Sequence, residues 1–122
     1  MSEHSPEEVA ARMARRLAGM GLSVIAGDDP DRPAVLTSHG DRTFGELNGR
    51  ANQLARFMRG RGFTAGDSLA FVMSNRPEFA EVLYAGFRTG ARITTINWHL
   101  TGEEIAYIVR DCGAKVLVGD AR

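Results

Sequence analysis

Apolar residues recur along this chain at distinct spacings, and each spacing names an element. In the first twenty residues Val9, Met13, Ala14 and Leu17 return every three or four positions, the period of one helix face. Ser5-Pro6-Glu7-Glu8 opens that segment with a cap residue, a proline in the first turn and two acids toward the positive end of the helix dipole. Gly19 and Gly21 close it, and Asp28-Asp29-Pro30-Asp31 is a polar turn. Residues 1–30 read as a helical appendage and linker, ahead of a body that occupies residues 31–122.

The body begins with a strand at 33–37, a turn at 38–41 and a returning strand at 42–44, which together predict a β-hairpin. Thr43 and Glu46 have capping-box spacing, so the hairpin runs straight into a helix. Leu47, Ala51, Leu54, Ala55 and Met58 share one face of that helix, Arg50, Gln53, Arg56 and Arg59 the other, and Gly60 and Gly62 end it. Residues 68–73 form a nearly continuous apolar run of strand length, the pattern of a central parallel strand buried on both faces. Asn75 is expected to cap the next helix, with Pro77 and Glu78 in its first turn, Phe79, Val82, Leu83 and Phe87 as its stripe, and Gly90 as its stop. A strand at 93–96 follows. Thr101 and Glu104 make a second capping box; Ile105, Ile108 and Val109 face inward, Gly113 is the C-cap, and 115–118 is the last strand.

A hairpin followed by α-β-α-β-α-β predicts an α/β fold, with right-handed crossovers and a parallel sheet flanked by helices. No helix follows the last strand, so the sheet is expected to keep an open apolar edge of the kind that promotes association.

Composition narrows the function. At 122 residues the chain suits one domain or a piece of a larger one, and 43% apolar with 25% charged residues argues against disorder. Fifteen basic and fifteen acidic residues cancel, which removes the electrostatic footprint of a nucleic-acid binder. Fourteen of the basic residues are Arg and one is Lys115, a bias read here as genome composition rather than phosphate recognition. No apolar run approaches the ~20 residues of a membrane span, and no signal peptide is visible, so a cytoplasmic location is expected. The lone Cys112 excludes an internal disulfide and an all-Cys metal site. It sits at a helix C-terminus, whose partial negative charge disfavours a thiolate, and reads as packing.

In open parallel sheets, ligands bind outside the carboxyl ends of the strands. Those ends carry Ser74 and Asn75, then Asn97, Trp98 and His99, then Asp120. Each also has a plain structural reading: Asn75 as a helix cap, Trp98 as a cover over the sheet end, His99 as an ordinary histidine. The chain has no G-x-G-x-x-G after a strand, no Walker loop and no G-x-S-x-G elbow. His4, His39 and His99 lack metal-ligand spacing. A phosphoacceptor receiver domain shares this length and alternation, but it needs acidic residues where these strand ends offer Ser and Asn.

The stretch from Asp31 to Asp120 resembles the N-terminal part of an adenylate-forming enzyme, in the acyl-CoA synthetase branch. Asp31-Arg32-Pro33-Ala34-Val35 is similar to the family's opening strand. Arg42-Thr43-Phe44-Gly45-Glu46-Leu47-Asn48 resembles its T-[YF]-x-E-L step, and Arg50-Ala51-Asn52-Gln53-Leu54-Ala55 follows. Gly66-Asp67-Ser68-Leu69-Ala70 resembles the G-D-x-V-A turn and strand, and Asn75-Arg76-Pro77-Glu78-Phe79 the N-x-x-E-F helix start. Gly90-Ala91 and the block from Ile96 to Ile105 resemble G-A-x-x-x-x-x-N-x-x-L-x-x-x-E-[IL]. Six weak pieces in the right order make a strong signal.

The resemblance implies a two-step reaction: a carboxylic, typically fatty, acid and ATP with Mg²⁺ give an acyl adenylate and pyrophosphate, then coenzyme A takes the acyl group and AMP leaves. The family's phosphate loop, its adenine and ribose contacts and its catalytic lysine have no counterpart here, and Lys115, which precedes a strand, is not that lysine. No catalytic, cofactor-binding or metal-binding residue therefore carries over; what maps is scaffold. The expectation is an N-terminal fragment of a synthetase, inactive alone, that binds no cofactor by itself. Its partner would be the rest of the synthetase chain, or another copy at the open sheet edge. The alternative is a stand-alone, non-catalytic interaction module that uses that edge.

Overall fold

In the computed structural model, which describes residues 4–17 and 19–120, two helices lead into a hairpin and an alternating α/β unit. The helices are α1 (Pro6–Leu17) and α2 (Gly21–Asp28), and the hairpin pairs β1 (Pro33–Thr37) with β2 (Gly40–Thr43) antiparallel. Then come α3 (Phe44–Gly60), β3 (Ser68–Val72), α4 (Pro77–Thr89), β4 (Arg92–Ile96), α5 (Gly102–Asp111) and β5 (Ala114–Gly119).

Local chemistry sets the joints. Thr43 Oγ1 accepts from Glu46 N at 3.1 Å while Glu46 Oε1 accepts from Thr43 N at 2.9 Å, so the strand ends and α3 begins at one residue. Thr101 and Glu104 repeat the arrangement at α5, at 3.2 and 3.1 Å. Gly90 ends α4 in the left-handed region at φ 70°, as its sequence position predicts.

The sheet has the order β4-β3-β5, all parallel, with β3 in the centre as its apolar run predicts. Val72 lies level with Ile96 on one side and Gly119 on the other, which brings the three carboxyl ends together. Leu69 and Phe71 face α3 and α4 and pack with Ala55, Met58, Val82 and Ala85. Phe79 meets Phe71 edge-on at 4.8 Å. Each such large side chain contributes about 1.5–3 kcal/mol on burial, so this face anchors the fold.

The opposite face is thinner. Leu117 alternates with Val116 and Val118 and is 50% exposed, and α5 buries no residue. Ile105, Ile108 and Val109 are half-buried rather than core. Among the described residues β4 and β5 each pair with β3 alone, so both are open edges.

Three local expectations are corrected. The sequence pattern assigns no element to residues 21–28, yet α2 forms there and buries Leu22, Val24 and Ala26. It has no side-chain cap to announce it, and its stability comes from packing Leu22 against Leu47 and Ala51. Asn75 does not cap α4: the N-cap is Arg76, in extended conformation, because Pro77 at the first helical position holds its predecessor in that region. Phe87 is not core; it is exposed beside α2, and the buried positions of α4 are Pro77, Val82, Ala85, Gly86, Thr89 and, unexpectedly, Glu81 and Arg88.

Candidate functional site

At the carboxyl ends of β3 and β5, between α3 and α4, lies a cavity of about 670 Å³. Leu54, Met73, Val82 and Val118 supply its apolar wall, and Arg50, Arg76, Glu78, Glu81 and Asp120 its charged rim. β3 and β5 end side by side here because of their register, so Ser74 meets Asp120: Ser74 Oγ donates to Asp120 Oδ2 at 2.8 Å. Arg76 Nη1 lies 4.0 Å from the same oxygen, and Arg76 Nε 3.5 Å from Glu78 Oε2. The latter is an ion pair without a hydrogen bond, since Glu78 Oε2 is buried and has no hydrogen-bond partner.

A second chain of charges runs behind the rim. Arg42 Nε donates to Glu81 Oε1 at 3.0 Å, and Arg50 Nε lies 3.5 Å from that oxygen. This ties β2, α3 and α4 into one joint. Further along α4, Arg88 is only 6% exposed and donates to the Asn48 carbonyl oxygen at 2.9 Å and to the Asn48 side chain, while Arg59 donates to the Arg88 carbonyl. Burial holds the Arg88 guanidinium below its usual range, and repulsion from Arg59 adds to the effect.

Of the six residues the sequence places at the strand ends, the fold joins Ser74 and Asp120 directly. Asn97 turns back on itself, its Oδ1 accepting from His99 N at 2.9 Å, and the Trp98 and His99 rings stack at 3.7 Å. Asn75 is exposed and lines a separate shallow cavity with Phe79. Arg42, Arg50, Glu78 and Glu81 escape a sequence reading, because each reads as the solvent face of its own element and only the packing of β2 and α3 on α4 pairs them.

Lys115 sits at the opposite, amino end of the sheet. Its Nζ donates to Asp67 Oδ2 at 3.0 Å and to the Gly62 carbonyl at 2.7 Å. Asp67 also accepts from Thr64 N at 2.8 Å; that backbone hydrogen bond, and then Lys115, hold its carboxyl below the usual range.

The rim's donor set can be weighed against a nucleotide. Two arginines line the cavity against three carboxylates, and both arginines are already engaged. Arg42, behind the rim, also pairs with Glu78 and Glu81, so the charges balance internally and neither lining arginine is left uncommitted for a triphosphate. The carboxylates are held by arginines, and no cluster of three metal-ligating side chains occurs among the described residues. ATP and Mg²⁺ therefore do not fit these residues, and no chemical step on them follows from this part of the chain. Among the described residues, no helix is long and apolar enough to cross a membrane.

A three-stranded parallel sheet with helices on it, a leading hairpin and a cleft at the strand ends define an open α/β unit. The family described as AMP-binding enzyme matches residues 22–122, and the chain belongs to that adenylate-forming family. It is 36% identical over 91 residues to a 2-succinylbenzoate–CoA ligase of Geobacillus kaustophilus, covering 75% of this chain and 19% of that one. It is 28% identical over 95 residues to the fatty acid–[acyl-carrier-protein] ligase ScoC of Streptomyces coeruleorubidus, covering 78% and 18%. The inhibitor-bound N-terminal domain of FACL13 from Mycobacterium tuberculosis superimposes with a TM-score of 0.76 at 29% identity, over 84% of this chain and 26% of that one. The chain thus spans about a fifth of the length of these curated relatives, and the fold is that of the N-terminal part of adenylate-forming enzymes.

Proposed function

We propose that this chain supplies the N-terminal scaffold of an ATP-dependent acyl-CoA synthetase. In that reaction a fatty or related carboxylic acid attacks the α-phosphorus of ATP, giving an acyl adenylate and pyrophosphate. The coenzyme A thiol then attacks the acyl carbonyl, and AMP departs with the bonding electrons. The observation that carries the reading is the family match running from residue 22 to residue 122. Likeness to a CoA ligase at 36% and to a fatty-acid ligase at 28% supports the acid and thiol classes.

The described residues would act in it as structure. They hold the strand ends level, close the α3–α4 face with the Arg42–Glu81–Arg50 joint, and present a mixed apolar and charged cleft. ATP, Mg²⁺ and coenzyme A would be held by other segments of the synthetase.

Two measurements test this. Incubated with a fatty acid, ATP and hydroxylamine, the 122-residue chain alone is expected to give hydroxamate at the level of the blank; a clear yield would overturn the assignment of the chemistry to other segments. Reading the coding frame past Arg122 is expected to reveal a Ser/Thr/Gly-rich loop ending in Pro-Lys-Gly, and the product of that frame to make acyl-CoA. An immediate stop would overturn the synthetase reading. Acyl transfer to a carrier protein but not to coenzyme A would overturn the acceptor while leaving adenylation intact.

A further inference from the structure

Helix α1 carries an apolar line that the rest of the fold leaves unused. The family match begins at residue 22, after α1 has ended. Val9, Met13 and Leu17 stand at i, i+4 and i+8, in one row along the helix. They are 51%, 51% and 83% exposed, and α1 buries no residue at all. Its anchor to the body is Arg12, which grips Asp28 through two hydrogen bonds of 3.0 and 2.6 Å. Beyond Leu17 the apolar surface continues onto exposed Ile25 and Phe87, which line a cavity of about 650 Å³ with Leu17. An amphipathic helix of this length is marginal in water unless its apolar face is covered.

The charges on α1 indicate what covers it. Glu7 and Glu8 occupy the first turn, Arg15 and Arg16 the last. A second α1 laid antiparallel sets each acidic end beside a basic end and opposes the two helix dipoles. Val9 of one copy then meets Leu17 of the other, and Met13 meets Met13 at the two-fold axis. Such a surface complements itself, as an isologous interface requires. A parallel pairing would align like charges at both ends. An anionic lipid surface fits less well, because Glu7, Glu8, Asp28 and Asp29 outnumber Arg12, Arg15 and Arg16 in this part of the chain.

We propose that α1 is a self-association helix, through which two copies of this chain pair antiparallel with Met13 at the centre. A helix of this length spans only about 18 Å, so the contact is small and the dimer reversible.

Sedimentation equilibrium of the 122-residue chain, from about 5 to 500 µM, is expected to show a monomer–dimer equilibrium. Met13→Glu should raise the dissociation constant at least tenfold, with an unchanged urea midpoint because α1 buries nothing. Charge exchange gives a readout that a structural role would not move. A chain with Arg15→Glu and Arg16→Glu is acidic at both ends of α1, and one with Glu7→Arg and Glu8→Arg is basic at both. Each is expected to stay monomeric alone and to form a heterodimer when mixed. A chain monomeric throughout, or a dimer indifferent to Met13→Glu, overturns the proposal. So does a dimer abolished by Leu117→Lys instead, which would place the contact at the sheet edge. Binding of monomeric chain to phosphatidylglycerol vesicles, lost in Met13→Glu, would assign the helix to a membrane and overturn it as well.

Discussion

Removing the Glu81 carboxylate should loosen the joint that ties the hairpin to α4. Glu81 accepts from Arg42 Nε at 3.0 Å and lies 3.5 Å from Arg50 Nε. Its side chain is 9% exposed and that of Arg42 18%, whereas Arg50 is 54% exposed. The Arg50 contact, half in water, is worth at most about 1 kcal/mol. The Arg42 contact is a charge-assisted hydrogen bond in a mostly dry setting and contributes about 1.5–3 kcal/mol. Glu81→Ala also strands the Arg42 guanidinium, which keeps the Asp41 carbonyl at 2.9 Å and Glu78 at 3.6 Å. These terms sum to a loss of about 2–4 kcal/mol. Glu81→Gln retains shape and an acceptor and should lose only about 1–1.5 kcal/mol. With a denaturant slope of about 1–3 kcal/mol per molar urea, the Glu81→Ala midpoint should fall by about 1–2 M. Circular dichroism at 222 nm follows the transition, and a cycle with Arg42→Ala should give a coupling of about 1–3 kcal/mol. A midpoint shift under about 0.3 M, or additive single and double variants, would refute the argument that burial sets the strength of this pair.

Other consequences test separate parts of the fold. Thr43→Ala should lower global stability by about 1 kcal/mol, because α3 is built into the core; Thr101→Ala, at the loosely packed α5, should instead speed local amide exchange with little change in the urea midpoint. Gly19→Ala should destabilise the α1–α2 joint: its φ is +82°, and an added Cβ would stand 2.3 Å from the Phe87 backbone oxygen, so faster exchange in α2 is expected while β3 stays protected. The Asp67 carboxyl is held below its usual value by Thr64 N–H and Lys115, so its stabilisation is full above the unfolded pKa of about 4 and disappears as pH falls through the lowered folded value. Asp67→Asn should flatten that acid limb of the melting temperature between about pH 5 and pH 2, and an unchanged limb would assign acid sensitivity elsewhere.

Apolar spacing, two Thr-x-x-Glu boxes and a few glycines were enough to mark the hairpin, three helices of the body and the parallel strands. The reason is that these features act within a few residues: a capping box closes on itself, and a strand buried on both faces must be apolar along its length. The family resemblance was legible for the same reason, since it rests on those joints. Contacts between distant segments were a different matter. α2 exists because Leu22 finds Leu47 and Ala51, and Glu81 is buried because Arg42 and Arg50 reach it from two other elements. Phe87 matches its helix stripe in sequence yet points to solvent beside α2. Residues 39 and 31 positions apart meet in the Arg42–Glu81–Arg50 joint, and no local pattern encodes which charged face packs on which. The sequence by itself determined the elements and their order, because helix and strand period are local properties. Only the tertiary structure decided which charges are buried together at the strand ends, because that depends on how α3 and α4 settle on the β3 face.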